Sequence, residues 1–230
     1  MVGSNLLSPK PEYTTNISFE DVVRRIGYIK YYGIKLGDGS YTAVPDNTLN
    51  SSDAETIGDS TISTKTIHSR AYFMKVTATF DLIFNRALNL KGTMFFNLPI
   101  GQEATLNTQN MTGEISAYHY DGSTATQIGD TENTSEYSYD GNSVIVGTNQ
   151  VNECVAITPA ANATTHFKAG EKLRVIISTY SSSSANGTTS IGHNPTGAGA
   201  INKKQAASDK RIITSNITQF LWLLPIKMDI

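Results

Sequence analysis

Residues 74–84 read MKVTATFDLIF, and their side chains sort by twos. Met74, Val76, Ala78, Phe80, Leu82 and Phe84 fall on one side, Lys75, Thr77, Thr79 and Asp81 on the other, with Ile83 as the exception. A period of two puts neighbours on opposite faces of an extended strand, and a helix cannot bury such a pattern on one stripe. Residues 88–98, LNLKGTMFFNL, repeat it with Leu90, Met94, Phe96 and Leu98 inward and Asn89, Lys91, Thr93 and Asn97 outward. The short Asn85-Arg86-Ala87 link between the two predicts an antiparallel pair of neighbouring strands.

The same reading predicts strands at 28–36, 40–44, 114–120, 143–147, 151–158, 171–180 and 212–224. Asp38-Gly39, Asp121-Gly122, Asp140-Gly141 and Asn186-Gly187 supply turn chemistry between them. Polar stretches 45–66, 121–142 and 181–210 read as loops. One helix signal precedes the strands in ISFEDVVRRIG. Ser18 caps it, Asp21 follows three residues later, Ile17 and Val22 form the staple, and Gly27 stops it. Phe19, Val22, Val23 and Ile26 would share its apolar face. Pro9 and Pro11 hold residues 1–16 in an extended arm. The prediction is all-β: an arm over 1–16, then a single jelly-roll or β-sandwich domain over 17–230 with one short N-terminal helix.

Composition narrows the function. Charged residues make up only 17% of the 230 and the net charge is −2. Ser and Thr fill roughly a fifth of the chain, well above ordinary usage. The densest basic group, Lys203, Lys204, Lys210 and Arg211, is interrupted by Ser, Ala and Asp. That is too thin a footprint for direct nucleic-acid binding. No apolar run approaches the length of a membrane span, FLWLLPI at 220–226 being the longest. The first residues, MVGSNLLSPKPEY, lack a signal peptide's apolar core. Asn-x-Ser/Thr matches at Asn16, Asn50, Asn110, Asn133, Asn162, Asn186 and Asn216 are expected by chance in a chain so rich in these residues. A chain with no leader but an exterior-like composition points to a virus particle.

Motifs for chemistry fail one after another. In IGHNPTGAGAINKK, residues 191–204, Gly192 and Gly197 match the front of a phosphate-binding loop. Ala198 and Gly199 then replace the required Lys and Ser/Thr, and no βαβ unit surrounds the third glycine of the stretch. The segment reads as a connector that holds no phosphate. His68, His119, His166 and His193 lack metal-ligand spacing. Asp46, Asn47, Asn50 and Asp53 give only a weak calcium signal without the EF-hand pattern. The lone Cys154 lies in the strand-like VNECVAITP and reads as a small buried hydrophobe. No nucleophile elbow, zinc helix or paired cysteines appear, so no catalytic residue, cofactor or metal is assigned. Tyr118, Tyr120, Tyr137 and Tyr139 are suited to stacking on sugar rings or to filling a protein interface.

Two segments carry a resemblance. HFKAGEKLRVIISTY makes a Gly-Glu-Lys-Leu-Arg turn into a penultimate strand, and the chain then runs through Gly-His-Asn-Pro into FLWLLPIKMDI. With the strands at 72–98, this resembles jelly-roll structural proteins of tailed phages and archaeal viruses, in capsid shells, decorations and tail attachments. The resemblance implies a non-enzymatic virion subunit that assembles with copies of itself, trimers included, and with other virion proteins. A carbohydrate- or receptor-binding module on a virion or cell surface is the alternative. The last strand is apolar on both faces, Phe220, Trp222 and Leu224 opposite Leu221 and Leu223. It must be covered twice, by the domain core or by a neighbouring subunit.

Overall fold

A computed structural model describes residues 15–16, 26–35, 40–45, 55–58, 64–67, 69–103, 109–139, 149–160, 163–182, 188–193 and 220–227. These form strands β1 (Thr15–Asn16), β2 (Ile26–Lys35), β3 (Tyr41–Pro45), β4 (Glu55–Gly58), β5 (Thr64–Ile67), β6 (Arg70–Ile83), β7 (Leu88–Lys91) and β8 (Met94–Glu103). They continue with β9 (Gln109–Tyr120), β10 (Ala125–Asn133), β11 (Tyr137–Tyr139), β12 (Asn149–Ile157), β13 (Thr164–Phe167), β14 (Lys172–Ser181), β15 (Thr188–His193) and β16 (Leu221–Lys227). The chain is all-β among the described residues. The strands join in one sheet, ordered β10-β9-β14-β6-β3-β2-β16-β8-β15-β4, with β12 on β8, β5 on β6 and β13 on β7. A parallel bridge, Tyr41 to Phe80, makes the sheet mixed; among the described residues every other pairing is antiparallel. The sheet curls until it nearly closes into a barrel, and its concave side forms the core.

The alternation in β6 builds that core. Val76, Ala78, Phe80, Leu82 and Phe84 are all buried, while Ile83 is 52% exposed. Met74 departs from the expected face. Between Thr179 and Tyr180 of β14 the register slips, so that Val76 faces Thr179 and Met74 faces Tyr180, leaving Lys75 as an extra residue. A bulge of this kind reverses the face of everything beyond it. Met74 therefore leaves the main core and packs with Ile67, Tyr72 and Tyr180 in a small satellite cluster.

Residues 88–98 bury Leu90, Met94, Phe96 and Leu98 as expected. They are nevertheless two strands, broken at Gly92, whose φ of 117° only glycine adopts readily. Nor does β6 pair with them. β6 lies against β14, β5 and β3, whereas β7 pairs with β13 and β16, and β8 with β12, β15 and β16. Alternation fixes which face a residue occupies and leaves the hydrogen-bonding partner open.

The arm and the helix fall largely outside the described residues. Thr15 and Asn16 pair with Ile29 and Tyr28. Ile26 and Gly27, expected on the helix face and at its stop, instead open β2 opposite Lys227 and Ile226. Three expected loops hold strands: β4 and most of β5 in 45–66, β10 and β11 within 121–142, β15 within 181–210. In β10 only Ile128 is buried, so its sequence reads as solvated loop although the backbone is paired to β9. Residues 191–193 of the glycine-rich stretch belong to β15, with Ile191 buried; residues 194–204 lie outside the described set.

The apolar last strand is internal to the sheet, and the core covers one of its two faces. β16 lies between β2 and β8, so both backbone edges are hydrogen-bonded. Phe220, Trp222 and Leu224 are fully buried, and Leu221 and Leu223 are half-buried. Trp222 meets Phe220 at 5.4 Å, Phe96 at 5.7 Å and Phe80 at 6.4 Å between ring centroids, each edge to face. Its indole N–H has no partner among the described residues. The strand thus has its Phe220, Trp222 and Leu224 face covered by the core and its Leu221 and Leu223 face partly open.

Candidate functional site

The outer face of β6, β14 and β9 gathers the polar and aromatic residues that the core excludes. The registers place Lys172 between Ile83 and Tyr120, Arg174 between Asp81 and Tyr118, Ile176 between Thr79 and Ser116, and Ser178 between Thr77 and Glu114. Cross-strand neighbours share a face, so these rows make one surface. Tyr118 and Tyr120 stand two residues apart on it, about 7 Å along the strand. Both are half-buried, and Gln127 of β10 flanks Tyr118.

A charge cluster underlies the tyrosines. Arg174 donates from Nε to Asp81 Oδ1 at 2.7 Å and from a terminal nitrogen to Oδ2 at 2.8 Å, a fork-on-carboxylate pair. Lys172 Nζ reaches Asp81 Oδ2 at 3.2 Å. Burial by itself would raise the Asp81 carboxyl, but hydrogen bonds from Arg174 and then Lys172 outweigh it and hold the group below its ordinary range. Asp81 in turn raises the Arg174 guanidinium. That guanidinium lies 4.1 Å from the Tyr120 ring centroid, in cation–π range, and Lys172 Nζ lies 5.8 Å from it. The Tyr120 hydroxyl donates to Gly122 O at 2.8 Å. Tyr120 is thus fixed at both ends, while the Tyr118 hydroxyl has no partner among the described residues.

The far end of the face is closed upon itself. Glu136 accepts from Tyr72 Oη and from Asn110 Nδ2, each at 2.6 Å, and Arg70 lies 3.2 Å away. Tyr180 donates to Glu114 at 3.2 Å. Burial, then the Glu136 hydrogen bond, pushes the Tyr72 phenol far up; burial, then the charge of Glu114, raises Tyr180 to about 12. These groups satisfy one another and tie the start of β9 to β6, β14 and the segment before β11.

Among the described residues, the side chains of His119 and His166 have separate partners. His119 faces inward, 4.5 Å edge to face from Phe167, and its Nε2 is 2.7 Å from Glu171. Glu171 also accepts from Lys168 N at 2.7 Å, and this bond first, then His119, holds its carboxyl low. His166 Nδ1 meets Asn89 at 2.8 Å. His68 lies outside the described residues, as do Asp46, Asn47, Asn50 and Asp53. Among the described residues no group of three or more His, Cys, Asp or Glu could hold a metal.

Of the four tyrosines, Tyr118 and Tyr120 share the open face. Tyr137 is drawn aside to hydrogen-bond Glu153, and Tyr139 pairs its backbone with Gln109. Cys154 is exposed, not buried as expected: Val155 and Ile157 take the inward positions of β12 and leave it on the outer side. Asn110 is buried against Glu136, which bars its use as a glycosylation acceptor. Asp81, Lys172 and Arg174 could not be read as a cluster from the residues alone, because they are paired across strands some ninety residues apart in the chain.

No protein-family model and no curated protein matches the chain. Among solved structures it is similar to a CocE/NonD family hydrolase from Staphylococcus aureus, at 12% identity and TM-score 0.47, over 87% of this chain and 36% of that one. It is also similar to an aminopeptidase from a marine sediment Thaumarchaeota archaeon, at 9% identity and TM-score 0.45, over 89% and 37%. A structure of infectious bursal disease virus matches at 10% identity and TM-score 0.21, over 84% and 41%. The chain therefore spans little more than a third of the two enzyme chains. These matches correct two expectations, that the chain is a virion structural protein and that it is not an enzyme: the better-matched chains are hydrolytic enzymes. The virion location is left with distant virus matches alone. At TM-scores of 0.47 and below, none of the matches assigns a residue role or an activity.

Proposed function

We propose that the outer face of β6, β14 and β9 is a carbohydrate-binding platform. The observation that carries this reading is the pairing of a half-exposed tyrosine, Tyr118, with an ordered ion pair directly opposite it on the next strands. Sugar rings present an apolar C–H face and a rim of hydroxyls. An aromatic side chain takes the first, and fixed charged groups hydrogen-bond the second. Here Tyr118 supplies the ring. Asp81 and Arg174 supply acceptor and donor at positions set by their mutual bonds, so little side-chain freedom is lost on binding. Thr77 and Thr79 continue the face with exposed hydroxyls, as an extended saccharide would require.

The test is a panel of soluble oligosaccharides titrated against the purified protein by calorimetry. Binding should fall tenfold or more, about 1.4 kcal/mol, in Tyr118→Ala. Tyr118→Trp, which keeps an aromatic face, should retain it. If the alanine variant binds as well as the parent, or no oligosaccharide binds, the platform reading is wrong.

A further inference from the structure

The signs of the charges around Tyr118 narrow the class of ligand. Two cations, Lys172 and Arg174, share one carboxylate, Asp81. The other acids nearby are engaged elsewhere. Glu171 lies on the opposite side of β14, against His119. Glu114 sits two rows away from Arg174 and meets Tyr180. Asp121 lies past Tyr120 at the hairpin tip, where its Oδ1 accepts from Ser123 N and Thr124 N. Being fully exposed there, it is screened by water and salt. The two adjacent rows that hold Tyr118 and Tyr120 therefore carry two cations, Arg174 and Lys172, against one carboxylate, Asp81, an excess of one positive charge.

The donors are also held in place. Arg174 spends two of its N–H groups on Asp81 and sits over the Tyr120 ring, while its remaining N–H groups have no partner among the described residues. A guanidinium fixed in this way meets an incoming oxyanion with little loss of freedom. Lys172, one row along, adds a second donor of the same sign.

Building on the carbohydrate reading of this face, we infer that its ligands are anionic saccharides, whose acid group is met by Arg174 and Lys172 while a sugar ring rests on Tyr118. A uronate carboxylate and a sulfate ester present the same chemistry to these donors, and separate probes distinguish them.

The experiment titrates the full chain with three probes of matched length at low and at high salt: a neutral oligosaccharide, an oligouronate and a sulfated oligosaccharide. The parent should favour at least one acidic probe over the neutral one by about tenfold, and high salt should narrow the gap. The tighter acidic probe identifies the acid group. Lys172→Met, which leaves the Arg174–Asp81 pair intact, should collapse the preference; Lys172→Arg should keep it. Equal affinity for neutral and acidic probes, with binding still lost in Tyr118→Ala, overturns this inference alone. So does an acidic preference that survives Lys172→Met. Acidic binding indifferent to Tyr118→Ala overturns the inference and the platform together, as does a failure of all three probes to bind.

Discussion

A methyl group added at residue 33 would strike the Phe220 ring and press on Phe80, because the Gly33 backbone approaches close enough for its N–H to donate to Phe220 O at 2.8 Å. Neither ring has room to retreat inside the aromatic cluster around Trp222. Gly33→Ala should cost about 1–3 kcal/mol by overpacking, read as a lower urea midpoint with an unchanged slope. Tyr180 offers a residue-scale test by pH. Its folded value stands at about 12 against an ordinary 10.0, through burial first and the Glu114 charge second. A raised phenol favours the folded state while protonated, so its contribution is whole below pH 10 and is lost as the pH climbs towards 12. Tyr180→Phe should flatten the fall in stability between those values, followed by thermal melts across the alkaline range. An unchanged alkaline slope would contradict the assignment. At this scale the strand expected over 114–120 appears as β9, on which Tyr118 and Tyr120, two of the four tyrosines singled out, stand on one face. The sequence misjudged Cys154, because a short apolar residue in a strand reads alike on either side until the partner layer is known.

The β9–β10 hairpin shows what an element reveals and hides. Its turn was legible, since Asp121-Gly122 is strong turn chemistry, and Gly122 adopts the expected positive φ of 105°. Asp121 Oδ1 accepts from Ser123 N at 2.8 Å and from Thr124 N at 2.7 Å, and these bonds, Thr124 first, lower its carboxyl from 3.8 to about 2. A depressed acid supports folding above its unfolded value and ceases to do so as pH falls through the folded one. The hairpin should therefore lose this support between about pH 4 and pH 2, and Asp121→Asn should remove that acid step. Carboxyl-carbon chemical shifts across the titration would show it; a midpoint near the ordinary value would refute it. The outgoing strand was not legible. β10 is an edge strand with a bulge between Ile128 and Glu132, so it needs only one buried side chain to stay paired. A polar edge strand and a solvated loop have the same composition. The β6 bulge was hidden for a related reason: Lys75 looks like any outward residue, and only the register with β14 shows that it shifts Met74 to the other face.

Over the whole molecule, the all-β class followed from periodicity, whereas the order of the strands did not. Local alternation carries no record of which distant strand completes a ladder, and this sheet pairs strands far apart in the chain, β14 with β6 and β16 with β2. The charged half of the site was hidden by the same distance. Asp81 reads as one outward acid in β6, and Arg174 as one basic residue after a turn; folding alone makes them a bidentate pair beside Tyr118. The internal place of β16 has a further consequence, for the order of events during synthesis. Leu221 pairs with Tyr32 across about 190 residues of intervening chain, a separation that slows folding. While a ribosome makes that stretch, β2 has one long flank waiting and Gly33 has no Phe220 to pack against. The sheet stays open on that side of β2 while residues 33–220 are made and shuts only once β16 is available to pair.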